Sequence, residues 1–257
     1  MFFKSLVIIL FKNDKLSFPE IFITDLLFKI DTFFSIIYLY YLINQKGFFM
    51  AIKIYGRLSS ANVQKINWFC NYANISVINL NYGGVHGKTL TREFKEMNPN
   101  KLVPVLDDNN LILYESNAIL RYLSKKFNIL VEENIETNGK IDQWIDWGSF
   151  TFANPCSLLT RHKLSLPEGK REKPIAELAE NNILSLLEII ENQLGNKNFI
   201  VGEKFSLADI PLGIWCHRCV NLKISFGNFP NINNWYIKLN EMNSFKKTVV
   251  SAPLPPN

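Results

Sequence analysis

The chain reads as a mixed α/β domain, residues 50–127, in the order βαβ-α-ββα, followed by an all-α domain over residues 137–251. Three observations predict this. Up to Phe127, short apolar runs alternate with stretches of helical spacing, separated by Gly, Asn and Asp clusters. Beyond Asn128 each segment carries helical spacing or helix-start residues. Pro174 and Pro230 stand where a first helical turn tolerates proline.

Each element follows from its residues. "IKIYG" predicts a short strand over 52–55, and Ser60 precedes a helix over 61–72 with apolar Val63, Ile66, Trp68 and Phe69. "SVINLN" is the second strand. After the Gly83, Gly84 and Gly87 loop comes a short helix over 92–97, then an apolar run, 102–106, read as a strand with Pro104 inside it. "LILY" pairs with that run as a hairpin across 107–110, whose Asp/Asn cluster is turn chemistry. Ser116 caps a helix to Phe127. A linker over 128–136 leads to helices over 137–153, 174–194, 206–221 and 230–241, a short last helix, and a tail over 252–257. Ser206 and Asp209 in "FSLAD" form a capping-box-like pair, with Asp in place of the usual Glu or Gln.

Composition narrows the function. The 257 residues carry a net charge of +5 spread along the chain, with no basic stripe bearing interleaved aromatics, which argues against nucleic acid. Four scattered cysteines suit a reducing compartment, so a cytoplasmic protein is expected. Residues 1–49 differ from the rest: they hold half of the 20 phenylalanines and no Ala, Arg, His, Cys or Trp. Such a composition resembles translated AT-rich DNA, so Met50 is expected to be the functional start. As a membrane anchor the leader is too short, because its best apolar run, 33–43, falls below the roughly 18 residues needed to span a bilayer. It also lacks a signal-peptide cleavage site.

Two motifs carry the binding chemistry. In "NPNKLVPVL" (98–106), a proline at a strand edge is a site for a cis peptide bond, which an X-Pro linkage allows. Val103 would then turn its N–H and C=O toward an extended, peptide-like ligand; an ordinary edge strand beginning after a turn fits Pro104 alone equally well. In "YESNAILRYL" (114–123), Glu115 and Ser116 start a helix. They bring a carboxylate, a hydroxyl and free helix N–H groups together, a match for the ammonium and carboxylate of an α-amino acid, although taken alone they favour a plain N-cap beside an exposed Glu.

At this spacing the two motifs resemble the cytosolic glutathione S-transferase superfamily, in its serine-type, theta/beta/nu-like bacterial branch, and the resemblance runs from Met50 to about Val250 with "FSLADIPLG" included. It implies a thioredoxin-like N-terminal domain, reduced glutathione as co-substrate, no metal, a homodimer, and transfer of the activated thiol to a small hydrophobic electrophile. It further implies that Val103 pairs with the cysteinyl backbone of glutathione, that Pro104 is the cis proline, and that Glu115 and Ser116 hold the γ-glutamyl end. Lys101 departs from the glycine of many relatives; a positive φ there would strain a lysine and imply a different local loop.

For catalysis the resemblance places Ser60 on the thiol. The thiolate is the nucleophile, and a free thiol near pKa ~8.5 is mostly protonated at pH 7. A hydroxyl donor at a helix N-terminus lowers that value, although Ser60 could instead spend its oxygen as a helix cap. Ser60, Asn62 and Lys65 also match the Thr-x-Asn-x-x-Lys pattern of nu-type members, which points alternatively to glutathione-dependent disulfide reduction with Asn62 donating to a sulfur. A docking module without chemistry is the third alternative. Trp144, Trp147 and Phe150 are candidate walls of the acceptor pocket, with Arg161 or His162 at its mouth; Trp147 and Arg161 are the residues singled out. Cys216 and Cys219, inside a late helix, are expected to be core, with no metal set formed by His217.

Overall fold

The structure, a computed structural model, describes residues 51–255; the leader therefore lies outside the described residues. The first half is a four-stranded sheet in the order β2-β1-β3-β4, built from β1 (Ile52–Tyr55), β2 (Val77–Leu80), β3 (Val105–Asp108) and β4 (Leu111–Tyr114). β1 runs parallel to β2 and antiparallel to β3, and β3 forms the hairpin with β4. Helices α1 (Ala61–Tyr72), α2 (Arg92–Met97) and α3 (Ser116–Phe127) complete the βαβ-α-ββα order. This is the thioredoxin-like arrangement.

β3 corrects the expected strand over 102–106. It begins at Val105, after Lys101 at φ 59° and a cis Val103–Pro104 bond, so 102–104 form the turn that delivers the chain to the sheet. Lys101 thus adopts the positive φ itself.

The second half is helical: α4 (Ile135–Asp146), α5 (Ala153–Thr160), α6 (Lys173–Leu194), α7 (Asp209–Asn221) and α8 (Pro230–Glu241), with a last turn at Asn243–Phe245. The expected helix over 137–153 differs, because α4 stops at Asp146 and wide turns of the π type follow at Trp147–Phe152 and, after α5, at Arg161–Ser165. The first widening falls where Gly148 meets α7. A Cβ there would lie 3.1 Å from the Leu212 side chain.

The two halves share one continuous apolar core. Trp68 of α1, fully buried, packs against Phe205 and Phe245 with ring centroids 5.4 and 4.7 Å away, and its indole N–H donates to Ser244 Oγ at 3.3 Å. Gly213 on α7 makes room for it, since a Cβ at that position would come within 3.0 Å of the Trp68 ring. Among the described residues no helix is long and apolar enough to cross a membrane.

At the start of α7 Asp209 is fully buried and accepts four hydrogen bonds: from Ile200 N (2.9 Å), Ser206 N (2.8 Å), Ser206 Oγ (3.0 Å) and Trp235 Nε1 (2.9 Å). Burial pushes its carboxyl up to about 6 and the four donors oppose this, so it is charged at neutral pH. The helix itself begins at Asp209 rather than Ser206, with the serine in the preceding turn.

Candidate active site

The site lies where β1, α1, β3 and α3 meet. β1 ends at Tyr55, and Gly56 lets the chain turn under α1: a Cβ on it would sit 2.4 Å from Val63 Cγ2 and 3.4 Å from Val103 Cβ. Only glycine fits between the helix and the Val103 turn. Val103 is half-buried, and neither its N–H nor its carbonyl takes a hydrogen bond among the described residues.

Ser60 occupies the N-cap position of α1 with extended backbone (φ −80°, ψ 122°), yet its side chain accepts no capping bond. Its backbone carbonyl serves Val63 N and Gln64 N instead. The hydroxyl is therefore uncommitted, and the amides of Ala61 and Asn62 are left without a partner among the described residues. With no acidic residue in the first turn, the positive end of the helix is unopposed there.

Across from α1, Glu115 precedes α3 at φ 68°, a left-handed conformation that a side-chain-bearing residue adopts at a cost, and its side chain is exposed. Ser116 is buried, with Oγ donating to Asn62 Oδ1 at 3.3 Å. The amide nitrogen of Asn62 remains without a partner among the described residues. Two predicted residues from different helices are thus brought into one chain of hydrogen bonds.

Beneath that chain sits Lys65, which the sequence marks only as the end of a pattern. It is 1% exposed, and its Nζ donates to Ser149 Oγ (2.7 Å), Ser116 Oγ (3.2 Å) and Asn117 Oδ1 (3.2 Å). Three acceptors match the three N–H bonds of an ammonium. Burial pushes the group down to about 7, while Glu115 and Asp146 act in the opposite direction. Ser149 comes from the first wide turn, so the widening of the helix supplies one of the lysine's three partners.

The remaining candidates separate. Arg161 lines a cleft of about 530 Å³ together with Ser60, Asn62 and Ser149. Trp147 does not line it. Its ring lies on Trp144 and Phe152 at 5.0 and 6.0 Å, packed against the core, while Phe150 points to solvent. The cleft beside Ser60 is lined mainly by polar side chains, and none of Trp144, Trp147 and Phe150 is among them. His162 is buried and receives a bond from Glu172 N at its Nδ1. Cys216 and Cys219 are buried, but the thiol near Cys219 is Cys156 on α5, 3.6 Å away, and burial pushes the Cys156 and Cys216 thiols well up.

Family comparisons accord with this geometry. Residues 50–125 match the glutathione S-transferase N-terminal domain and residues 142–243 its C-terminal domain. A solved structure, the theta class glutathione S-transferase of Xanthomonas axonopodis pv. citri with glutathione bound, is 30% identical at a TM-score of 0.75 and aligns over 79% of this chain and 98% of its own. The chain belongs to the cytosolic glutathione S-transferase superfamily. Among curated relatives of this transferase, GstB of Escherichia coli K12 is 26% identical over 203 residues, which is 77% of this chain and 98% of that protein. Human glutathione S-transferase theta-1 is 31% identical over 149 residues, covering 51% and 61% respectively.

Proposed function

We propose that this protein is a glutathione transferase that binds reduced glutathione along Val103 and activates its thiol at Ser60 for attack on a small electrophile. One observation carries the reading: the Ser60 hydroxyl stands at the start of α1, beside two amides that have no partner among the described residues, without being used as a cap. A donor so placed stabilises a thiolate. In this reading the tripeptide lies extended against the Val103 backbone before Pro104. Its γ-glutamyl ammonium meets Glu115, and the matching carboxylate meets Ser116 and the first amides of α3. The curated relatives named above are transferases, which favours conjugation over disulfide reduction or docking. Asn62 serves as a positioning residue for Ser116. A homodimer in the cytoplasm, working without a metal, completes the proposal.

Ser60→Ala is expected to raise the pKa of bound glutathione by about two units, equivalent to ~2.7 kcal/mol, and to depress conjugation more at pH 6.5 than at pH 8.5. Thiolate absorbance near 240 nm and the pH profile of kcat/KM read this directly. A variant with an unchanged profile would remove Ser60 from the chemistry.

Glu115→Gly separates binding from stability. It relieves the positive φ, so unfolding should become harder by about 1 kcal/mol, while affinity for glutathione falls by roughly 1.5–3 kcal/mol with the loss of a charge-assisted contact. Denaturant titration and calorimetry on the same variant check both halves. Equal or tighter binding would place the ammonium elsewhere.

A further inference from the structure

The cleft beside Ser60 is lined by three guanidinium groups, Arg57, Arg161 and Arg218, and by no carboxylate. None of the three enters an ion pair among the described residues. Arg218 is the most demanding, since only 4% of it is exposed. Its Nη2 donates to Ser59 O at 3.2 Å, whereas its buried Nη1 has no partner among the described residues. One turn earlier on α7 the buried indole N–H of Trp215, another cleft residue, has none among them either. Burial and the neighbouring charge of Arg57 press the Arg218 guanidinium down to about 10, which leaves it charged at every physiological pH. Burial presses Arg57 down as well.

A cation and an N–H donor withheld from both water and protein acceptors are costly, and buried groups of this kind are rarely left without a purpose. Their shared deficit is one of acceptors and of negative charge. We infer that the cleft receives the carboxylate of the second substrate, so that this transferase acts on small electrophiles bearing an anionic head group opposite the reacting carbon. This rests on the proposed transferase reading and specifies its substrate class. A carboxylate offers two oxygens, and reaching the buried guanidinium and indole N–H groups from the cleft takes a small shift of the side chains that cover them. With the head group held there, the electrophilic carbon lies toward Ser60. At an activated aryl carbon the thiolate adds first, forming the sulfur–carbon bond, and the carbon–halogen bond then breaks, the halide departing with the electron pair; the thiol proton has already passed to solvent.

Glutathione itself supplies the competing explanation, because its thiolate or its glycyl carboxylate could be the anion that these groups serve. A matched pair of electrophiles tells the two apart: 4-chloro-3,5-dinitrobenzoate and its methyl ester, assayed with the full chain at saturating glutathione and each corrected for its uncatalysed rate. The wild-type protein should prefer the carboxylate at least tenfold in kcat/KM, with the preference shrinking as salt is added. Arg218→Met should lower that ratio at least tenfold, and Arg161→Gln, at an exposed position whose exchange spares the core, several-fold. Equal rates for acid and ester in the wild type would overturn the inference, whether or not Arg218→Met folds. So would variants that slow both substrates equally while shifting the thiol pKa or the KM for glutathione. If neither electrophile reacts and the protein is not retained on immobilised glutathione, the transferase reading itself fails, and the substrate class with it.

Discussion

Asp209→Asn is expected to lower the free energy of unfolding by about 2–4 kcal/mol. The carboxylate presents two oxygens, each receiving two donors; one oxygen serves Ile200 N and Trp235 Nε1, the other Ser206 N and Ser206 Oγ. An asparagine can keep one pair. Its NH2 group must then face the other, leaving the Ser206 amide without an acceptor inside the protein. The loss reaches beyond α7, since the same side chain holds the 200–206 loop and Trp235 of α8. Urea unfolding of Asp209→Asn beside the exposed control Glu188→Gln measures it, and the control should change by less than about 0.5 kcal/mol. Equal stability of the two variants would show that the four bonds contribute nothing net.

Lys65→Met should weaken glutathione binding by about 1.5–3 kcal/mol while changing stability in a pH-dependent way. The affinity loss follows from removing the cation behind Ser116, where the proposed γ-glutamyl carboxylate would lie. The stability effect follows from linkage. With the folded pKa depressed to about 7 from 10.5, the unfolded chain holds more protons between those values. Wild-type stability tied to this group is thus fully present above 10.5 and lost as pH falls through 7. Methionine has no such dependence, so any stability advantage of the variant over wild type should be greatest below pH 7 and shrink as pH climbs toward 10.5. Denaturation midpoints at several pH values test the sign. A gap that widens with rising pH would contradict it, and unaltered affinity would place the carboxylate away from Lys65.

Much of the binding half is legible in the sequence because its signals are local. The short apolar runs "IKIY" and "LILY", the turn chemistry of 107–110 and the helix start at Ser60 act over a few residues, and the elements fall where those signals put them; the expected cap at Ser116 moves by one, to Glu115, with Ser116 as the first helical residue. Pro104 misleads only about the strand's start, since the missing donor and the positive φ of Lys101 postpone pairing to Val105. The wide turns are illegible for a physical reason: an i+5 bond changes the facing of side chains by one residue without interrupting the apolar spacing. Across that stretch Trp147 packs on Trp144 and Phe152 against the core, and Ser149 becomes a partner of Lys65.

The cationic features are illegible for another reason, as their meaning depends on distant partners. Lys65 lies 84 positions from Ser149, and Arg218 lies 159 from Ser59. A signal did exist in each case. A lone lysine amid Val63, Ile66, Trp68 and Phe69, and a lone arginine between Cys216 and Cys219, are charges on faces that should be apolar, and each asks for a buried partner.

Trp68 has a thermodynamic consequence. The helix that presents Ser60 on one end inserts this indole among Phe205, Phe245 and Gly213. Separating the halves would strip a large aromatic surface from its surroundings and break the bond to Ser244. The sheet half and the helical half are therefore expected to melt together as a single cooperative unit, and a fragment cut after Phe127 would carry its largest fully buried side chain on the outside, prone to self-association.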